Sequence, residues 1–221
     1  MTHPQVGSKV TVEIGINRRR LKDACLSECG KYRYLLWRRV RHDAHKCGQA
    51  PDDLDLNPVV FIMLNPSKAD HEQDDPTIRK VTHFAKEWGH DSVLVCNLFA
   101  HRATKPSELR KTCDPSGPQN GDAIKWAIDF ARDQPRNASA GPRVVGGWGN
   151  EGCDYPCQVR NLLNKLNEMQ VELWRLGRTK KGQPRHPRPP SVPWNPVLVP
   201  YSPSRDSTRR ADTLDLSGPD S

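Results

Sequence analysis

The chain has 221 residues, enough for one domain of ordinary size with a core and tails. Its longest apolar run, residues 59–64, is far too short for a membrane-spanning helix, and the stretch MTHPQVGSKV lacks the charged-then-apolar pattern of a secretory signal, so a cytoplasmic protein is expected. A formal net charge of +8 favours a polyanionic partner, most simply nucleic acid, over the plainer reading that basic tails raise the count.

Twenty prolines and fifteen glycines predict loops and extended segments rather than long helices. Seven cysteines without a secretory signal read as reduced thiols. Cys25/Cys29 and Cys153/Cys157 share a C-x3-C spacing, which is wider than the usual structural zinc spacing and has no histidine context. No metal site or cofactor is expected from them.

In chain order, residues 9–16 (KVTVEIGI) alternate β-branched and polar residues and predict a strand; residues 32–40 (YRYLLWRRV) predict another. Together they form a small antiparallel element, an extension over residues 1–50 packed on the main domain. The acidic stretch 51–57 marks the boundary. A buried strand over 59–64 follows, then Asp74-Asp75-Pro76, a helix start with an N-cap carboxylate and proline at the first position. Ile78, Val81, Ala85 and Trp88 recur at helical spacing, and Gly89 ends the helix.

A strand over 92–98, a short helical turn near 106–110, a helix over 119–132, a strand over 143–147, a helix over 155–169 and a strand over 171–176 complete the pattern. Strands alternating with helices predict one α/β domain over 51–201, a three-layer αβα sandwich on a four-stranded, mostly parallel sheet. Residues 202–221 are polar and read as a disordered tail. In such a sheet, function gathers in the loops at the carboxyl ends of the strands.

Those ends hold the candidate residues. Asn65, locked into extended backbone by Pro66 and followed by Ser67, presents an amide that either holds a water or ligand edge or ties down its own turn. Asn97 breaks an apolar strand and must find partners, a base edge or a neighbouring backbone. Phe99 offers a stacking face if it is not core, and Arg102 reaches for phosphate. Trp148 follows the third parallel strand. The last strand runs into the basic loop GRTKKGQPRHP, where Lys180, Lys181 and Arg185 suit phosphates and His186 suits a developing negative charge, unless the loop is merely solvated. Asp70, Asp74 and Asp75, with His71, are carboxylates for base or metal chemistry, although helix capping accounts for one or two of them.

The segments CGKYRYLLWR, FIMLNPSKADHEQDDPTIRKVTHFAKEWG, VLVCNLFAHRATKPSEL, VVGGWGNEG and LGRTKKGQPRHP, in that order, resemble the family called domain of unknown function 1643. That family occurs in bacteria and phages, and its name implies no activity. A more distant resemblance is to the uracil-DNA glycosylase superfamily, a parallel αβα sandwich. Residues 63–67 (MLNPS) are similar to its first motif, with Asn65 at the asparagine that positions the attacking water. Asn97 falls at the strand end that reads the pyrimidine edge. Arg185-His186-Pro187 is similar to the final motif, whose histidine stabilises the departing base. Met63 and Ser67 stand where that first motif carries glycines, and Arg188-Pro189-Pro190 departs from both families' usual continuation.

The resemblance implies an enzyme acting on a base in nucleic acid, DNA before RNA, or on a nucleotide, by hydrolysis of an N-glycosidic bond without a cofactor. The base would be flipped against Phe99 or Trp148. Two rivals remain open: a non-catalytic nucleic-acid-binding module, and a metal-dependent hydrolase built on Asp70, Asp74 and Asp75. Nothing in the residues fixes an oligomeric state.

Overall fold

In a computed structural model, residues 13–40, 56–67, 69–135, 141–188 and 190–202 are described. They form a mixed α/β fold on a seven-stranded sheet. The strands are β1 (Lys22–Leu26), β2 (Arg33–Arg39), β3 (Pro58–Met63), β4 (Ser92–Asn97), β5 (Arg143–Gly147), β6 (Leu173–Arg175) and β7 (Val199–Pro200). The helices are α1 (Pro76–Glu87), α2 (Asn120–Arg132) and α3 (Pro156–Glu168). No helix among these residues is long and apolar enough to cross a membrane.

Sheet order is β1-β2-β4-β3-β5-β6-β7. The four expected strands pair in parallel at its centre. A four-stranded sheet is nevertheless too small. β2 pairs antiparallel with β4, β1 with β2, and β7 with β6. Only β1 and β2 form a short hairpin; β2 meets β4, and β7 meets β6, after long excursions of the chain, so no regular strand-helix alternation announces these pairings. The strand expected over 9–16 is not the partner of β2: residues 9–12 lie outside the described residues, Glu13 to Ile16 are not in a strand, and β1 begins at Lys22. The tail beyond residue 202 also lies outside the described residues.

β3 is buried along its whole length because both faces are covered. Val59, Phe61 and Met63 join Val93, Val95 and the α1 residues Ile78, Val81, Phe84 and Ala85 on one face. Val60 and Ile62 join Leu94, Cys96 and the apolar stripes of α2 and α3 on the other. The start of α1 is built as its sequence predicts: Asp75 Oδ1 accepts the Ile78 N–H at 2.9 Å, with Pro76 at the first helical position. Gly89, at φ 76°, releases the chain from the helix.

β2 carries a bulge. Cys25 stands opposite Leu35 but Leu26 opposite Arg33, so Tyr34 has no partner on β1. Tyr34 and Leu35 consequently pack into the same core cluster, while Leu36 turns to the α1 side. Topology places the site. From β3 the chain moves outward to β4, then returns past β3 to β5, so the strand order reverses there and leaves a crevice beyond the carboxyl ends of β3 and β5.

Candidate functional site

That crevice is a cleft of about 910 Å3. Its walls are the exit of β3, the amino end of α1, the loop after β4, residues 148–151 after β5, the loop after β6, and Arg33 from β2.

Asn65 lines the cleft half-buried. Its Nδ2 donates to the Ala103 carbonyl at 2.7 Å and the Pro66 carbonyl at 3.0 Å, so the amide clamps the β3 exit to the loop after β4. This orientation leaves Oδ1 as the acceptor end. Pro66 is buried; its carbonyl also receives the Ala103 N–H at 3.0 Å. Ser67 lies between the cleft and a smaller hollow of about 330 Å3, where Arg102, Lys31 and His101 line the wall.

His186 reaches the cleft from the loop after β6. Its Nδ1 accepts the Arg188 N–H at 3.0 Å, which places the ring proton on Nε2. Surrounding protein desolvates the imidazolium and holds its pKa down at about 4, with Glu151 and Asp75 opposing the shift and Arg188 adding to it. The ring is therefore neutral near pH 7, with an N–H to give. The loop that carries it is pinned at several points: Gly149 N–H donates to Pro184 O at 3.0 Å, Arg185 N–H to Gly177 O at 3.1 Å, and Trp148 Nε1 to Gln183 Oε1 at 2.7 Å.

Of three expected base-contacting side chains, Phe99 and Asn97 do not line the cleft and Trp148 lines it without exposed surface. Phe99 is 1% exposed and packs edge-on against Tyr155 in the core, at 4.6 Å between ring centroids. Asn97 is 1% exposed and does not line the cleft, and neither of its amide atoms has a hydrogen-bond partner. Trp148 underlies the cleft with no exposed surface. Two glycines of VVGGWGNEG, Gly146 and Gly152, make room for its indole. A Cβ at Gly146 would lie 2.8 Å from the ring, and one at Gly152 only 2.2 Å. All three side chains are buried because the strand ends reach the core before they reach the surface.

The basic residues are spread out. Lys180 and Lys181 are exposed at the tip of a tight hairpin closed by Arg178 and Pro184, away from the cleft wall. Arg185 is exposed but lines the cleft, with Nε donating to Arg178 O at 3.1 Å and Nη1 to Ser191 O at 3.3 Å.

The carboxylates divide by task. Asp70 Oδ1 accepts the Glu72 and Gln73 N–H groups, both at 2.9 Å, which lowers its pKa. Asp74 holds Arg38 Nε at 2.5 Å and Lys22 Nζ at 3.0 Å. Asp75 caps α1 and lines the cleft. His71 is exposed beside Glu72. No group of three ligating side chains is gathered among the described residues.

Arg33, Thr77, Glu151 and Arg188 also line the cleft and were not singled out from the sequence. Arg33 is the most unusual. It is 1% exposed, and burial lowers its pKa to about 10, against support from Asp75. Nη1 donates to Ala69 O at 2.6 Å, while Nε has no partner. An arginine heading the apolar run YLLW of a predicted strand was the available signal.

No curated protein and no solved structure matches the chain. Over residues 33–188, more than two thirds of its length and the span that holds β2, His186 and all of the cleft lining but Ser191, the chain matches the family described as protein of unknown function DUF1643, and it belongs to that family.

Proposed function

We propose that the protein acts on a nucleobase carried by a nucleic acid or a nucleotide, through hydrolysis of the N-glycosidic bond. The observation that carries the reading is His186: a neutral ring whose Nε2 holds the proton, placed in the crevice at the strand-order reversal. A base leaving a sugar takes the bonding electron pair and becomes an anion; a fixed N–H donor that costs little reorganisation stabilises that charge. Water adds to the anomeric carbon, the carbon–nitrogen bond breaks, and the water's proton ends on the departing base. Asn65 supports the same chemistry, since its clamped Nδ2 directs Oδ1 to accept from a water. Contacts to the base fall to Ser67 and the backbone of residues 149–150, because Asn97, Phe99 and Trp148 lie beneath the surface.

The test is release of base from oligonucleotides and nucleotides carrying uracil, mismatched or modified pyrimidines, read as abasic sites or free base. His186→Ala is expected to lower the rate on the order of 100-fold, and Asn65→Ala to lower it as well. Absence of base release from all these substrates would overturn the reading.

The exposed Lys180 and Lys181 favour one further reading, a module that binds nucleic acid without chemistry. It requires salt-sensitive binding that survives Asn65→Ala and is lost when both lysines become alanine.

A further inference from the structure

We infer that the cleft seats a terminal phosphate, held by Arg33 and the amino end of α1, so that its ligand is a nucleoside monophosphate; the nucleoside half of that identity rests on the reading of the cleft as a base-handling site.

The two buried arginines of β2 supply the contrast. Arg38 is satisfied: Asp74 lies at 2.5 Å, Nη1 donates to Trp37 O at 2.7 Å, and Nη2 donates to the Asp70 and Gln73 carbonyls. Arg33, just as buried, has one carbonyl, an unpartnered Nε, and no described carboxylate in ion-pair range. A guanidinium removed from water with no carboxylate in contact, and only the more distant charge of Asp75 to support it, is costly, and an anion arriving through the cleft that Arg33 lines would relieve that cost.

The second element is α1, a twelve-residue helix whose first residues line the same cleft. Pro76 has no N–H, and the Ile78 N–H is taken by Asp75. The Thr77 N–H and hydroxyl remain for a ligand at the positive end of the helix. Arg185 and Arg188 add positive charge to the rim. Asp75 and Glu151 oppose it, although Asp75 is engaged with the helix N–H.

Burial selects the form of the phosphate. Arg33 lines the cleft while only 1% exposed, so a protruding terminal phosphate suits it better than a chain-internal diester flanked by two sugars. A cleft of about 910 Å3 accommodates one nucleotide together with water.

The experiment is calorimetric titration of the full chain at low ionic strength with inorganic phosphate, pyrimidine nucleoside monophosphates, the matching nucleosides, and an oligonucleotide without terminal phosphate. Monophosphates are expected to bind at least tenfold more tightly than nucleosides, with phosphate competing and the oligonucleotide not. Arg33→Gln is expected to lose at least tenfold for the monophosphate and nothing for the nucleoside, with Arg33→Lys between.

Should Arg33→Gln fail to fold, two measurements decide: Arg33→Lys, and a rise in the wild-type Tm with phosphate that chloride at equal ionic strength does not give. Equal affinity for nucleoside and monophosphate, unchanged binding in both variants, or full competition by the oligonucleotide overturns the inference. Base release with an unchanged KM in Arg33→Gln would sink this inference alone. Arg33-dependent phosphate binding without base release would sink only the catalytic reading.

Discussion

His186 shows how one hydrogen bond and one packed environment define a chemical state. Its Nδ1 is occupied by the Arg188 N–H, so a second proton must break that bond as well as enter a desolvated site. Well above pH 6.5 the ring is neutral whether the chain is folded or unfolded. As the pH falls from there toward 4, the unfolded chain takes up a proton that the folded protein refuses. Stability should therefore decline across that window by up to about 3 kcal/mol, and His186→Gln should flatten the decline in a series of denaturation midpoints. Gly152 is the matching case for packing. A methyl group there would lie 2.2 Å from the Trp148 ring, which has no space to retreat. Gly152→Ala should cost about 1–3 kcal/mol, seen as a lower Tm, and should loosen the loop that Gln183 ties to the same indole.

Among the elements, α1 was fully legible and β2 was not, for different physical reasons. The start of α1 is local chemistry: a carboxylate, a proline and an apolar stripe within a dozen residues. Asp75→Ala removes the cap and should destabilise the protein by about 1 kcal/mol, measurable by chemical denaturation. β2 shows aromatic residues that signal a strand, but its arginines are read correctly only once their partners are known. Asp74 lies 36 residues from Arg38 and meets it across the sheet end. Asp74→Ala would leave a guanidinium that is 2% exposed without its carboxylate, so a loss of roughly 3 kcal/mol is expected, several times the cost of an exposed pair. Asn65 was legible in both of its readings at once, since the turn-clamping amide is also the one lining the cleft.

At the scale of the molecule, the parallel centre of the sheet could be read because a helix separates each of its strands from the next. Of the flanking strands, β2 was read as a strand but not as the neighbour of β4, and β1 and β7 were not read at all, because pairing between segments far apart leaves no periodic mark. The same limit hid which strand-end residues face the cleft: a strand's end can be located from sequence, but the depth of core above it cannot. Phe99 and Asn97 are the result, polar or aromatic residues at the expected place and beneath the expected surface. The β1–β2 hairpin also covers the edge of β4, and Leu36 and Trp37 are fully buried there. A chain beginning at residue 51 should thus expose an apolar strand edge and be recovered as aggregate. A soluble product with a cooperative unfolding transition would show instead that the hairpin is a dispensable extension.

The bulge at Tyr34 has a consequence in parity. Positions 33 and 38 are an odd number apart, and in an unbroken strand two such residues point to opposite faces. Tyr34 is the extra count that makes them even: Arg33 reaches the carbonyl of Ala69 and Arg38 those of Asp70 and Gln73, so two guanidiniums grip one loop from one side. Deleting Tyr34 would remove no charge and no atom of the cleft wall, yet it would turn Arg33 through the sheet toward the layer of α2 and α3. A single residue that contacts no ligand thereby decides whether a buried positive charge faces the cleft at all.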